Sequence, residues 1–188
     1  GLGDDFAANS VTGGIQEAID DLPSAGGRVV CSGKTYSPST AIWLHSGVHL
    51  QGAGVGETII QRSSNSIING GAANSGAVVA CGPKGSNGTV FSSGSAGSNI
   101  SITNLTLDGN QSTQSGTTAA LGPVGIHARW VTGFFVNNVK VINTLQTGYY
   151  LSNCHDIHLT NFSADTVGQW STSSDRNAIS LHNADNST

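Results

Sequence analysis

One phrase occurs three times and limits what this chain can fold into. Ile100-Ser-Ile-Thr-Asn104-Leu-Thr-Leu, Phe134-Phe-Val-Asn-Asn138-Val-Lys-Val and Ile157-His-Leu-Thr-Asn161-Phe-Ser-Ala align without a gap, their asparagines 34 and 23 residues apart. Self-similarity at such periods marks a solenoid, in which each repeat buries its apolar side against its neighbours. In each phrase an apolar pair alternates with polar residues, Asn interrupts, and a second apolar pair follows. The pattern predicts two short strands meeting at a corner, with Ile100, Ile102, Leu105 and Leu107 turned inward. Stacking then puts Asn104, Asn138 and Asn161 in one column, where a side-chain amide can donate to one coil and accept from the other. A buried asparagine ladder is the expectation.

A second column alternates with the first: Gly125-Ile-His-Ala-Arg-Trp130, Gly148-Tyr-Tyr-Leu-Ser-Asn153 and Ala178-Ile-Ser-Leu-His-Asn183. Its inward positions are Ile126 and Ala128, Tyr149 and Leu151, Ile179 and Leu181. Outward it offers His127, Tyr150 and Ser180 as one row, and Arg129, Ser152 and His182 as the next.

Upstream, Gly13 to Leu22 places Ile15, Ala18, Ile19 and Leu22 on one helical stripe, with Ser10 or Thr12 as cap and Pro23 as stop. A short amphipathic helix ahead of a long β region fits a plug over the first open coil. We expect one all-β domain over residues 1–188: a capping helix at 13–22, then stacked coils from 28 to 188 with loops inserted near 61–97, 111–123 and 167–176. The last repeat opens at Ala178 and is followed by no capping segment, so the C-terminal end is expected to be incomplete, continued by further coils or capped by another chain.

The run Gly14-Ile-Gln-Glu-Ala-Ile-Asp, then Ala25-Gly-Gly-Arg-Val-Val, then Ser46-Gly-Val-His-Leu-Gln-Gly-Ala-Gly-Val-Gly-Glu-Thr-Ile-Ile60, then Leu105-Thr-Leu-Asp-Gly-Asn110 resembles the N-terminal half of the pectate-lyase-like superfamily. The resemblance implies a right-handed parallel β-helix. It also implies a secreted or virion-surface protein that works on long polysaccharides, since members include pectate lyases, polygalacturonases and other glycosidases, alginate epimerases and phage tailspikes. Two functions follow: a polysaccharide lyase or glycoside hydrolase acting on uronate-containing glycans, or a non-catalytic structural or receptor-binding module such as a tailspike or surface fibre, which would form a homo-oligomer, a trimer for instance.

The chemistry available divides in two. Arg129 is suited to neutralising a uronate carboxylate so that the neighbouring carbon loses its proton, and Tyr150, His127 or His182 to accepting that proton. Asp108 and Asp165 occupy aligned positions two coils apart, about 9.6 Å at a strand spacing of about 4.8 Å, near the upper end of the carboxyl separation used by inverting glycosidases. Leu-Asp-Gly-Asn110 is equally a turn in which Asp bonds its own backbone. Asp156, Asp175 and Arg176 are loop candidates, and Trp130, Trp170, Tyr149 and Tyr150 are candidate sugar-stacking rings.

The motifs that mark particular members are absent: no Asn-Thr-Asp, paired Asp-Asp or Gly-His-Gly, and Ser152-Asn-Cys-His155 where the epimerases carry Asp-Pro-His-Glu. The acids are scattered, so no metal and no cofactor is expected. Seven Lys and Arg against eleven Asp and Glu give no basic stripe, which argues against nucleic acid, and no apolar run is long enough to span a bilayer. Cys31, Cys81 and Cys154 lack metal-ligand spacing; they are either buried free thiols or one disulfide with a spare.

Overall fold

The computed structural model describes residues 10–64, 76–84, 96–114, 124–168, 177–183 and 185–187. One helix, α1 (Ile15–Asp20), precedes β1 (Gly27–Val30), β2 (Thr35–Tyr36), β3 (Ile42–Leu44), β4 (Val48–Gln51), β5 (Ile59–Gln61), β6 (Val79–Cys81), β7 (Gly97–Asp108), β8 (Ile126–Arg129), β9 (Val131–Thr144), β10 (Tyr149–Ser152), β11 (His155–Val167), β12 (Ile179–His182) and β13 (Asp185–Ser187). All pairings are parallel. One sheet runs β1-β4-β7-β9-β11-β13, with β5 joining β2 to β7; the other runs β12-β10-β8-β6-β3. The chain therefore returns to each sheet in turn, strictly alternating from β6 onward, and lays each new strand beside an earlier one on the same sheet.

The register matches the aligned phrases: Ile100 pairs with Phe134 and Phe134 with Ile157, and Leu105, Val139 and Phe162 form another row. Ile100, Ile102, Leu105, Leu107, Phe134, Val136, Val139 and Val141 are fully buried in one core shared by both sheets. Leu181, expected inside, is exposed at 49%, because β12 is the edge strand of its sheet and no described strand lies beyond it.

The corners differ from expectation in one respect. The two short strands expected in each phrase form one continuous run, β7, β9 or β11, bent at its asparagine. Asn104, Asn138 and Asn161 have φ of 56°, 54° and 48°, the left-handed region that Asn tolerates better than most L-residues. Asn138 and Asn161 are exposed and Asn104 half-buried, so the column is not buried; nor is it a continuous ladder, because Asn138 Nδ2 donates to Asn104 Oδ1 whereas Asn161 Nδ2 donates to Asn137 Oδ1. Backbone conformation explains the residue choice, because a corner that must turn left-handed selects Asn or Gly whether or not its side chain is covered. The preceding corner obeys the same rule with Gly47, Asn99, Gly133 and Asp156, at φ 75°, 54°, 74° and 51°.

The helix is shorter than the 13–22 expected, and its N-cap is Gly14 rather than Ser10 or Thr12, although both hydroxyls serve the helix start: Thr12 Oγ1 accepts from the Gln16 N–H at 3.1 Å and Ser10 Oγ from the Gly14 N–H at 2.9 Å. Ile15, Ala18 and Ile19 are buried against β1 and β3, and the Gln16 side chain bonds the Trp43 backbone N–H at 2.7 Å. All three cysteines are buried as thiols rather than joined in a disulfide. Most of the expected loops, with Trp170, Asp175 and Arg176, lies outside the described residues.

Candidate active site

Sheet register builds the site. On the outer face of the five-stranded sheet, Trp43, Ala80, His127, Tyr150 and Ser180 stand side by side in one row across β3, β6, β8, β10 and β12. Arg129, Ser152 and His182 form the next row, as the aligned sequences require. The residues between them, Ile126, Ala128, Tyr149 and Leu151, point into the core.

Tyr150 is the centre of the patch. Its ring meets that of His127 edge-on at 4.9 Å between centroids and lies tilted against His182 at 5.0 Å. His182 is further fixed by a 2.8 Å hydrogen bond between its Nε2 and Ser180 Oγ. His127 is 2% exposed, and burial, with the Arg129 charge adding to it, pulls its pKa down to about 3. That imidazole is neutral at ordinary pH. The neighbouring inward tyrosine has no such role: Tyr149 is buried, its hydroxyl meets the carbonyls of Val139 at 3.0 Å and Ser163 at 3.2 Å, and burial raises its pKa.

Arg129 adds a cation whose hydrogen bonding is incomplete. Its guanidinium lies 4.2 Å from the Trp130 ring centroid, and its Nε is buried with no hydrogen-bond partner among the described residues. A buried donor left without an acceptor costs about 1–3 kcal/mol. Trp130 itself sits at φ 53°, a strained conformation for a bulky side chain, at the corner where later coils place Asn153 and Asn183. Lys84 approaches the Trp43 ring at 6.0 Å at the other end of the row.

The aspartates belong to the other sheet. Asp108 and Asp165 both align with Ile142, as expected, but on β7 and β11. Asp108 is buried and accepts from the Asn110 N–H at 2.8 Å, from Asn143 Nδ2 at 3.1 Å and from Gln61 Nε2 at 2.7 Å, which makes it a turn residue tied to both adjacent coils. Asp165 is exposed, with Lys140 Nζ at 3.7 Å. The sequence reading missed Arg62, the largest fully buried side chain, whose guanidinium is pulled down to about 10 by burial. A lone Arg after a strand carries no signal of such burial. No group of three or more His, Cys, Asp or Glu that would hold a metal occurs among the described residues.

No protein-family model and no curated protein matches the chain. Solved structures do. A predicted glycosyl hydrolase from Parabacteroides merdae superposes with a TM-score of 0.71 at 17% identity, covering 98% of this chain and 80% of that protein. The ORF18 protein of Geobacillus virus E2 gives 0.66 at 16% identity over 96% of this chain and 35% of its own. The A-module of the mannuronan C-5 epimerase AlgE4 from Azotobacter vinelandii gives 0.55 at 22% identity over 96% of this chain and 53% of the module. At these identities the likeness is one of fold, and the chain spans about a third to a half of the latter two.

Proposed function

We propose that this chain forms a right-handed parallel β-helix, plugged by α1, that binds a uronate-containing polysaccharide on the outer face of the five-stranded sheet and cleaves it by elimination. The observation that carries the reading is the row of Arg129, Ser152 and His182 set next to the row of His127, Tyr150 and Ser180 on one sheet face. In this reading Arg129 pairs with the uronate carboxylate, drawing charge from the adjacent carbon as it loses its proton. Tyr150 or His182 takes that proton, and the glycosidic oxygen departs as the double bond forms. His127, neutral and packed edge-on, positions Tyr150. Hydrolysis by Asp108 and Asp165 is the weaker version, because the Asp108 oxygens already accept three hydrogen bonds.

The likeness to a predicted glycosyl hydrolase and to a mannuronan C-5 epimerase module supports a polysaccharide substrate. The reading places the protein outside the cell or on a virion surface. A second reading, a non-catalytic fibre or receptor-binding module, has the phage protein in its favour, together with outward-facing Phe135, which is 39% exposed and packs at 6.3 Å against the His158 ring. Incubation with pectic, alginate and neutral glycans, followed by ultraviolet absorbance and reducing-end assays, decides between them. Elimination yields an absorbing unsaturated uronate; reducing ends alone would transfer the chemistry to the aspartates, and neither product would leave the fibre reading.

A further inference from the structure

The corner after β8 departs from the rule that most other corners obey. Left-handed positions carry Gly, Asn or Asp at most described corners, Thr166 at φ 52° being another exception, and the positions aligned with this one on the next two coils are Asn153 at φ 52° and Asn183 at φ 51°. Here the residue is Trp130, at φ 53°, and its ring lies under the guanidinium of the residue before it. For an L-residue with a bulky side chain that conformation is unfavourable, and strain of this kind persists where the surroundings enforce it, often at binding sites.

We infer that Trp130 is a positioning residue, kept at a strained corner so that the Arg129 guanidinium is preset to receive a carboxylate through its planar fork. The inference rests on the uronate reading above. Stacking holds the guanidinium plane against the ring and denies Arg129 its other rotamers, so the fork is oriented before the ligand arrives. Planar two-point recognition favours a carboxylate over a neutral sugar hydroxyl, and it requires arginine, because a lysine ammonium has no fork. Trp130 also packs against the small apolar cluster of Trp43 and Ala80.

The test separates strain from stacking with three variants: Trp130→Gly, Trp130→Ala and Trp130→Phe. The first two lose the ring equally, so their difference reports the backbone. At this corner Gly should shift the unfolding equilibrium toward the native state by about fivefold or more relative to Ala, the reverse of the usual order within a strand. Calorimetric titration with a uronate oligosaccharide should show binding weakened about tenfold in both, consistent with a lost cation–π contact. Trp130→Phe keeps a ring face and should bind within a fewfold of the parent protein. Ala as stable as Gly would overturn the strain. Unchanged affinity in Trp130→Ala would overturn the positioning role while leaving the uronate reading intact. Failure of the unaltered protein to prefer the uronate oligosaccharide over a neutral one of equal length would overturn both together.

Discussion

Asn138 donates its side-chain amide to the Asn104 side-chain oxygen at 3.0 Å across adjacent coils, and both residues hold left-handed backbone. The bond lies at the surface, so it contributes little beyond what water would supply. The backbone matters more. Asn138→Ala should cost about 1–2 kcal/mol, the penalty of forcing an ordinary L-residue left-handed, whereas Asn138→Gly should cost distinctly less. Urea unfolding of both variants checks this; equal losses would return the explanation to the side-chain bond.

Asp108 and Asp165 look equivalent in the aligned repeats and differ in the folded chain. Removing the Asp108 carboxylate leaves the Asn110 N–H, the Asn143 amide and the Gln61 amide without their acceptor in a buried corner. Asp108→Ala should therefore lose about 1–3 kcal/mol. Asp165→Ala, which breaks one exposed ion pair, should change stability by no more than about 0.5 kcal/mol. If either aspartate served the chemistry, its asparagine variant would lose turnover at unchanged stability, and we expect neither to do so.

These contrasts mark what the sequence revealed. Apolar pairs at period two fixed which side chains of β7 and β9 face inward, and the aligned second column correctly paired His127 with Tyr150 and Tyr150 with Ser180. Partners contributed by other coils were invisible: nothing near Asp108 in the chain announces Gln61, 47 residues away, or Asn143, 35 residues away. Burial of outward residues was equally hidden, since alternation assigns His127 to a polar face and says nothing of what covers it. The strain at Trp130 did leave a trace. It stands where both aligned repeats have Asn, a mismatch that becomes meaningful once the asparagines are seen to be left-handed.

Burial of His127 makes a prediction about acid. Its pKa is pulled from 6.5 to about 3, so between those values the unfolded chain binds a proton that the native state refuses. Native stability therefore rises with pH across that window: the contribution is complete above about pH 6.5 and is lost as pH falls toward 3, at no more than about 1.4 kcal/mol per pH unit. His127→Phe keeps an aromatic ring and removes the proton site. Its unfolding free energy relative to the parent protein should improve steadily between pH 7 and pH 4; a constant offset would mean that this imidazole is protonated in the native state.

Arg129 and Tyr150 are separable by the way each variant fails. Arg129→Lys retains the charge but loses the planar fork and the stacking on Trp130, so uronate affinity should fall about tenfold and the remaining binding should weaken further with salt. Tyr150→Phe preserves the ring contacts with His127 and His182 and deletes only the hydroxyl. If the hydroxyl accepts the substrate proton, kcat should fall by about 10²–10⁴ with KM and thermal midpoint nearly unchanged. A full rate in Tyr150→Phe would pass the role to His182, where His182→Gln should then show the same loss. Full affinity in Arg129→Lys would mean that the carboxylate is bound elsewhere on the sheet.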